Sequence, residues 1–291
     1  MTTLRQKLSS LDGKRVLVAP GVYDLISVRI ADRLGFEALY MTGYGTVASH
    51  LGLPDAGLAT YADMVGRVEA MARAARTPLI ADADTGYGGL LNVQHTVRGY
   101  QRAGAQAIQL EDQQFPKKCG HTPGRKVVSA DEMVRKIRVA VESRDSRDFL
   151  VIARTDARTA LGLDEALRRG ELYAKAGADV VFIEAPESEE ELRRIGATLR
   201  GVPLLANMVE GGCTPVLGAE RLAELGFSIA IYPVIGFLAA AAALDRGYRE
   251  LKALGTSAGA STALFDFQEM SRLMGFEEVW RFDREHALPE E

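Results

Sequence analysis

Cysteine is scarce in this chain of 291 residues, which contains only two. Cys119 and Cys213 lie far apart in the sequence, so no disulfide framework is expected. Such sparse use of cysteine is typical of a reducing compartment. We therefore expect a cytoplasmic protein whose fold depends on a hydrophobic core.

Positive charge and long apolar runs are also lacking. The formal net charge is -4, which provides no basic face for nucleic acid and no reason to expect a membrane surface as partner. The longest apolar run, 229–244, is interrupted by Pro233 and Gly236 and is too short to span a membrane. The N-terminal sequence MTTLRQKLSS has no apolar core of the kind that a signal peptide needs.

Short apolar runs rich in β-forming residues alternate with amphipathic helical stretches along the whole chain. Eight such runs are Val16–Ala19, Ala38–Thr42, Leu79–Ala83, Ala107–Glu111, Phe149–Arg154, Val180–Glu184, Pro203–Asn207 and Ile229–Tyr232. Repeated β-then-α units predict a parallel sheet with helical crossovers, and eight is the number that closes a barrel. A doubly wound open sheet is the rival architecture. We predict an α/β protein with a single (β/α)₈ barrel domain over residues 1–291.

The C-terminal stretch is expected to add helices beyond the barrel, with residues 255–291 as a helical extension. It carries a large apolar load for a tail, including Phe265, Phe267, Trp280 and Phe282. Such a surface is expected to pack on something, for example another subunit. Two connections also look long, from Thr42 to Thr60 and from Asp112 to Val128, and long connections of this kind are usually functional.

Polar residues cluster where the predicted strands end. They are Tyr40 and Thr42 after strand two, Asp82 and Asp84 after strand three, Glu111 and Asp112 after strand four, Arg154 and Asp156 after strand five, Glu184 after strand six and Asn207 after strand seven. Any one of these is a solvated strand end on the simplest interpretation. Together they indicate an active site, because barrel enzymes build theirs at the C-terminal ends of the strands.

Asp82, Asp84 and Glu111 supply hard oxygen ligands from neighbouring strands, with no histidine among them. This set suits Mg²⁺, whereas zinc prefers histidine or cysteine. The alternative is that one of the two aspartates merely caps the following helix. The sequence therefore predicts a magnesium site, with Mn²⁺ as the other candidate ion.

Glycines flank Tyr44 in the run Gly43-Tyr44-Gly45, so backbone N–H groups there can approach an anion closely. The run matches the dinucleotide-binding pattern only loosely. Pro54 breaks any helix that follows, so we discount a nicotinamide cofactor.

The loop Lys117-Lys118-Cys119-Gly120-His121 places a thiol beside two lysines and a histidine. Such an environment is unlike that of a buried structural cysteine and suits a nucleophile or a proton donor. The simpler alternative is an unreactive cysteine on a loop. Cys213 lacks such neighbours and is interpreted as structural.

Several motifs together resemble the isocitrate lyase/phosphoenolpyruvate mutase superfamily over roughly the whole chain. They are Lys117–His121, Asp82–Gly88, Leu110–Gln113, Ile152–Ala157 and Leu205–Met208. The most similar members are 2,3-dimethylmalate lyases, methylisocitrate lyases and carboxyvinyl-carboxyphosphonate phosphorylmutases. The resemblance implies a barrel whose last helix swaps between subunits in a homotetramer, a dimer of helix-swapped dimers.

The same resemblance implies roles for individual residues. Asp84 would hold Mg²⁺ directly, while Asp82 and Glu111 would reach it largely through water. Substrate-binding residues would be Thr42, Gly43, Tyr44, Asp55, Asp82, Gly120, Arg154, Glu184 and Asn207. Catalytic residues would be Cys119, Tyr40, Lys117, His121 and Arg154, with Lys117–His121 on a gating loop.

The implied reaction is cleavage of a 2-hydroxy dicarboxylate to a 2-oxo acid and a carboxylate. Tyr40 would help to take the hydroxyl proton, and Cys119 would protonate the leaving carbon. Methylisocitrate lyases carry an arginine where this chain has Leu238, so a tricarboxylate would lack its partner here. Tyr44 also stands where that branch often has glycine. The alternatives are a carboxyvinyl-carboxyphosphonate phosphorylmutase, an oxaloacetate hydrolase or decarboxylase, and a barrel that only binds a ligand.

Overall fold

The computed structural model describes residues 2–120, 122 and 124–287 of the chain. The chain divides between Phe237 and Leu238 into two compact units. Eight parallel strands of the first unit form a closed barrel in the order β1 to β8. Since β1 pairs with β8, the open-sheet alternative is wrong and the predicted (β/α)₈ barrel is confirmed.

The strands agree with the eight predicted runs to within a few residues. They are β1 Leu17–Val22, β2 Leu39–Met41, β3 Leu79–Asp82, β4 Ala107–Glu111, β5 Leu150–Thr155, β6 Val180–Ile183, β7 Leu204–Asn207 and β8 Ile229–Tyr232. The first strand extends beyond its predicted end at Ala19, because Pro20 still pairs in register with Tyr232.

Thirteen helices are assigned within the described residues. They are α1 Leu4–Ser9, α2 Leu25–Arg33, α3 Gly43–Leu51, α4 Tyr61–Ala74, α5 Leu90–Arg102, α6 Ala130–Ser143, α7 Ala157–Leu161, α8 Leu163–Lys175, α9 Glu189–Thr198, α10 Ala219–Glu224, α11 Ile235–Leu254, α12 Phe267–Leu273 and α13 Phe276–His286. Helix α3 was not predicted, because it begins with Gly43 and Gly45, and glycine is a poor helix former. It occupies the first half of the long connection from Thr42 to Thr60.

Alternation along the strands separates the barrel interior from the layer that faces the helices. On β5, Leu150 and Ile152 belong to the interior cluster, whereas Val151 and Ala153 pack outward against the helices. Leu4 joins the interior cluster and is fully buried. The interior is therefore a packed core, and functional groups are confined to its end.

The second unit, Leu238–Glu291, contains most of α11 together with α12 and α13. Glu250 on α11 accepts hydrogen bonds from the backbone and hydroxyl of Thr262, at 3.0 and 2.9 Å. None of these three helices has a buried residue. The sequence predicted one barrel domain with an extension at 255–291. The division between Phe237 and Leu238 does not test that prediction, which stays a prediction. In the part of the chain that the structure describes, no helix is long and apolar enough to cross a membrane.

Gly196 on α9 is predicted to be essential for packing of the barrel's outer layer. A Cβ at this position would lie 1.7 Å from the carbonyl oxygen of Leu225. Gly196→Ala should therefore destabilise the protein by about 1–3 kcal/mol or more, measured as a lower midpoint of thermal unfolding. Gly66→Ala on α4 is the control, since a Cβ there meets no atom within 4 Å and alanine favours the helix. Equal midpoints for the two variants would contradict the prediction.

Candidate active site

The two-residue period of the strands carries polar side chains onto the inner rim of the barrel. Each site residue lies two positions beyond an inward-facing residue, and successive residues of this kind share a face. The pairs are Ile80 with Asp82, Gln109 with Glu111, Ile152 with Arg154, Phe182 with Glu184 and Leu205 with Asn207. The same two-residue alternation therefore places apolar residues in the barrel interior and polar residues at its rim.

A pocket lies at the C-terminal end of the barrel. Twelve of the predicted site residues line it, namely Tyr40, Thr42, Gly43, Tyr44, Asp55, Asp82, Glu111, Lys117, Cys119, Gly120, Arg154 and Asn207. Asp84 and Glu184 do not line it but contact residues that do. His121 lies outside the described residues.

Lys117 connects the loop to the carboxylates. Its ammonium group forms ion pairs with Asp55 and with Asp84, where Nζ lies 2.5 Å from Oδ1. All three side chains are at most 7% exposed. Burial by itself would lower the pKa of Lys117, but Asp84, Asp55 and Glu111 outweigh it and hold that pKa well above its usual value. Lys117 is therefore a fixed positive charge.

Burial opposes the charged form of two carboxylates at the rim. Burial raises the pKa of Asp84 to about 7, and the attraction of Lys117 offsets this only in part. Burial likewise raises the pKa of Glu111 well above its usual value, despite the opposing effect of Arg154. The Oε1 atom of Glu111 is buried and has no hydrogen-bond partner. A further cation at this place would satisfy that oxygen.

The oxygen donors at the rim fit magnesium, which keeps several waters, better than a metal that takes all of its ligands from the protein. Among residues 2–120, 122 and 124–287, no three His, Cys, Asp or Glu side chains converge closely enough to form a metal centre by themselves. Mg²⁺ retains several waters and commonly takes only one or two carboxylates. Asp84, Asp82 and Glu111 are the oxygen donors at this rim that could hold such an ion. Asp82 Oδ1 accepts a hydrogen bond from the backbone N–H of Asp84 at 3.1 Å, which ties the two acids together.

Asp84 also has an unusual backbone. Its φ angle is 51°, in the left-handed region that few side chains adopt. The residue lies directly after the end of β3, where the chain leaves the barrel rim.

Arg154 is the principal cation of the pocket floor. Its Nη1 lies 3.2 Å from Glu111 Oε2, and its Nε lies 3.5 Å from Glu184 Oε2. Asp156 accepts two further bonds from it, each 3.0 Å long. Burial would lower the pKa of Arg154, but Asp156, Glu111 and Glu184 hold it well above its usual value. The side chain is a permanent cation available to an incoming carboxylate.

Helix α3 directs its N-terminus at the pocket. Thr42 is the N-cap residue, and its side chain makes no capping hydrogen bond, so the first backbone N–H groups remain available for an anion. The backbone of Gly43 lies so close to Asp82 that a side chain would clash, since a Cβ there would lie 2.5 Å from Asp82 Oδ2. The predicted anion cradle at 43–45 thus has a structural basis in a helix that the sequence did not reveal.

The thiol-bearing loop lies against the pocket floor. Buried Gln113 clasps Lys118, accepting from its N–H at 2.9 Å and donating to its carbonyl at 2.8 Å. The N–H of Cys119 donates to the carbonyl of Asp55 at 3.2 Å. A Cβ at Gly120 would lie 2.4 Å from Arg154 Nη2, so only glycine allows this approach. The loop therefore brings Cys119 to the same pocket as Arg154.

Tyr40 donates a hydrogen bond to Gln109 Oε1 at 3.0 Å in the barrel interior. Burial, reinforced by Asp82, raises the pKa of Tyr40 well above its usual value. A phenol in this state is protonated at neutral pH and suits hydrogen-bond donation. The role of proton acceptor that the sequence suggested stays a prediction, and this pKa direction speaks against it.

One wall of the pocket is apolar, and sequence reasoning missed it. Its residues are Val209, Ile231, Pro233 and Val234. Tyr44 extends this side and packs edge-on against Phe237, with ring centroids 5.2 Å apart. Apolar residues after β7 and β8 resemble ordinary core residues in sequence, so the only available signal was their position at strand ends.

Asp112 was noted only as the end of a strand, but it is a fully buried hydrogen-bond hub. Its carboxylate accepts from Thr155, from the backbone of Asp156, from Arg169 and from Tyr173, at 2.6 to 2.9 Å. These contacts fix the end of β5 against β4 and α8. Arg154 is carried by this segment, so the hub supports the pocket from behind.

Known lyases are similar to this chain in sequence over almost its whole length. The 2,3-dimethylmalate lyase of Eubacterium barkeri is 50% identical over 99% of both chains. The 2-methylisocitrate lyase of Aeropyrum pernix is 42% identical, over 94% of this chain and 88% of its own. Both names are those of lyases, in agreement with the predicted class of enzyme.

Solved structures show the same architecture. A crystal structure of 2,3-dimethylmalate lyase, described as a PEP mutase/isocitrate lyase superfamily member, superposes with a TM-score of 0.90 at 40% identity, covering 98% of this chain and 94% of that one. An oxaloacetate acetylhydrolase gives 0.91 at 38% identity, covering 97% and 95%. A phosphonopyruvate hydrolase solved with oxalate and Mg²⁺ gives 0.87 at 30%, covering 99% and 100%.

The family model described as phosphoenolpyruvate phosphomutase matches residues 8–252, which is most of the chain. Because this match covers far more than half of the residues, the chain belongs to the phosphoenolpyruvate phosphomutase family, within the PEP mutase/isocitrate lyase superfamily.

Proposed function

We propose that this protein is a Mg²⁺-dependent carbon–carbon lyase. Its substrate would be a 2-hydroxy dicarboxylate of the alkylated malate type, such as 2,3-dimethylmalate, and its products a 2-oxo acid and a carboxylate. One observation carries this proposal: Cys119, Arg154 and the N-terminus of α3 line one pocket, beside an apolar wall. A proton donor, two anion-binding groups and a place for alkyl substituents are the parts that this cleavage needs.

Two anion-binding groups of the pocket would orient the substrate. The N–H groups at the start of α3 and the guanidinium of Arg154 would each take carboxylate oxygens, since both offer positive charge with fixed geometry. Tyr40 would lie beside the substrate with its hydroxyl proton donated to Gln109. The C2–C3 bond would then lie between the cradle and the loop.

Cys119 would serve as the general acid. A carboxylate of the rim would take the proton of the 2-hydroxyl group as the C2–O bond becomes a carbonyl. The electron pair of the C2–C3 bond would move to C3 and into the carboxylate that C3 carries, and the thiol proton would be delivered to C3. Lys118 lines the same pocket and would stabilise the thiolate that remains. The loop, lying on the floor at Gly120, would exclude water from the carbanion-like carbon.

Asp84 would hold the magnesium ion, with Asp82 and Glu111 contacting its water ligands. The ion would lower the pKa of the substrate's hydroxyl group and stabilise the negative charge that develops there. The buried oxygen of Glu111 without a partner supports this assignment. Mn²⁺ has a similar preference for oxygen ligands and would substitute.

The apolar wall favours an alkyl substituent over a third carboxylate. A carboxylate placed against Val209, Ile231 and Val234 would lose hydration without gaining a partner, which is costly. A second candidate is hydrolysis of oxaloacetate, which the similarity to an oxaloacetate acetylhydrolase favours. Both reactions use a small dicarboxylate, so a substrate panel separates them.

The protein would assemble as a homotetramer in which the last helices swap between subunits. The second unit supports this, because Leu264 and Phe267 are 78% and 79% exposed and its helices bury no residue. Apolar exposure on this scale is typical of an interface.

The substrate prediction is tested with 2,3-dimethylmalate, other substituted malates, 2-methylisocitrate, oxaloacetate and carboxyphosphonoenolpyruvate, assayed with Mg²⁺. We expect pyruvate and propionate from 2,3-dimethylmalate and none after EDTA treatment. Cys119→Ser should lower kcat by about 100-fold or more, since general acid catalysis contributes about that much. Release of oxalate from oxaloacetate as the main activity would favour the hydrolase instead.

The matched control is Cys213→Ser, which changes the other cysteine of the chain and lies on an exposed position. Its kcat should stay within about twofold of the wild type. If Cys119→Ser retained the rate of the Cys213→Ser control, the acid role of Cys119 would be wrong.

Assembly is tested by sedimentation velocity. The wild type should sediment with four times the chain mass of 31.5 kDa. Phe267→Glu with Phe282→Glu should give smaller species, because charge is costly in an apolar interface. Lys252→Glu, on the same unit, is the control for added negative charge. A monomeric wild type would contradict the tetramer.

A further inference from the structure

Arg125 is a buried cation that the proposed chemistry does not use. Its side chain is 1% exposed, and it does not line the pocket. It belongs to the connection between β4 and α6, five positions after Gly120. All three guanidinium nitrogens have partners: Nε donates to the carbonyl of Thr122 at 3.1 Å, Nη2 to Thr159 Oγ1 at 2.7 Å, and Nη1 to Asp156 Oδ1 at 2.6 Å.

Asp156 is shared between this arginine and the arginine of the pocket. Its Oδ1 accepts from both Arg125 and Arg154, and its Oδ2 accepts from Arg154 Nε. The residue occupies the N-cap position of α7, yet its side chain makes no capping bond. Its carboxylate is 0% exposed and is committed to the two guanidinium groups.

Sharing this carboxylate changes the charge that Arg154 can offer. Arg154 already faces Glu111 and Glu184, so a third carboxylate acting on it alone would leave little attraction for a substrate. Arg125 draws part of the Asp156 charge to itself, because opposite charges interact strongly where water is excluded. The same contact prevents the Asp156 carboxylate from rotating, and this fixes the plane of the Arg154 fork.

We infer that Arg125 is a positioning residue for the proposed reaction, and that it acts through Asp156. It sets the orientation of Arg154 and preserves the positive charge that Arg154 presents to a substrate carboxylate. This inference rests on the proposed function in one respect, namely that Arg154 binds a carboxylate. It also links the connection that carries the thiol loop to the pocket floor, since Arg125 is held by both Thr122 and Asp156.

The test compares Arg125→Met and Arg125→Lys with the wild type. The measurements are the Kd of oxalate with Mg²⁺ by calorimetry, and KM and kcat for 2,3-dimethylmalate. Arg125→Met should weaken oxalate binding and raise KM about tenfold or more. Arg125→Lys keeps the charge but loses the planar fork, so its values should lie between those of the wild type and Arg125→Met. The lysine variant also keeps the test decisive if the methionine variant does not fold.

Arg158→Met is the matched control. Arg158 lies two residues after Asp156 and pairs with Glu187 and Glu191, away from Arg154. Its loss should lower the unfolding midpoint while the oxalate Kd and KM stay within about twofold of the wild type. A purely structural Arg125 would behave in the same way, and that result would overturn the inference.

A double-mutant comparison isolates the shared carboxylate. In an Asp156→Asn background, Arg125→Met should change the oxalate Kd less than threefold, because the link through Asp156 is already lost. An undiminished effect in that background would show that Arg125 acts by another route. A wild type that binds oxalate but cleaves no substrate of the panel would defeat the proposed function alone, while a wild type that binds no oxalate would overturn both.

Discussion

Burying several carboxylates in one place is unfavourable unless cations accompany them, and this requirement organises the whole site. Asp55, Asp84 and Glu111 are almost completely shielded from water. Lys117, on a loop, pairs with Asp55 and Asp84, and Arg154, on a strand, pairs with Glu111. The ion pairs of Lys117 therefore hold the loop against the rim. Because Cys119 lies two residues further along this loop, the same contacts hold the thiol at the pocket.

Much of this arrangement was predictable because the strands impose a short-range rule. Once eight strands are recognised, a two-residue period places Asp82, Glu111, Arg154, Glu184 and Asn207 on the same inner rim. No long-range information is needed for that step. The composition of the site and the expectation of an oxygen-binding metal followed from the same residues.

The remaining features depend on contacts between segments distant in sequence, which no local pattern encodes. The pairing of Lys117 with Asp55 spans two loops, and the link from Arg125 to Asp156 joins a loop to the end of a strand. Helix α3 was not predicted because of its glycines, which close approaches require: a Cβ at Gly43 would lie 2.5 Å from Asp82 Oδ2, and a Cβ at Gly45 would lie 2.8 Å from the side chain of Tyr23. The apolar wall was invisible because valine and isoleucine at a strand end look like core.

The left-handed backbone conformation of Asp84 restricts which amino acids can occupy that position without strain. Aspartate, asparagine and glycine are the residues that enter this region at little cost, and of these only aspartate carries a charge. Backbone geometry and the proposed role as a metal ligand thus favour the same side chain independently. Homologues that keep the turn after β3 but have lost the reaction should accordingly drift to asparagine or glycine at this site, not to glutamate.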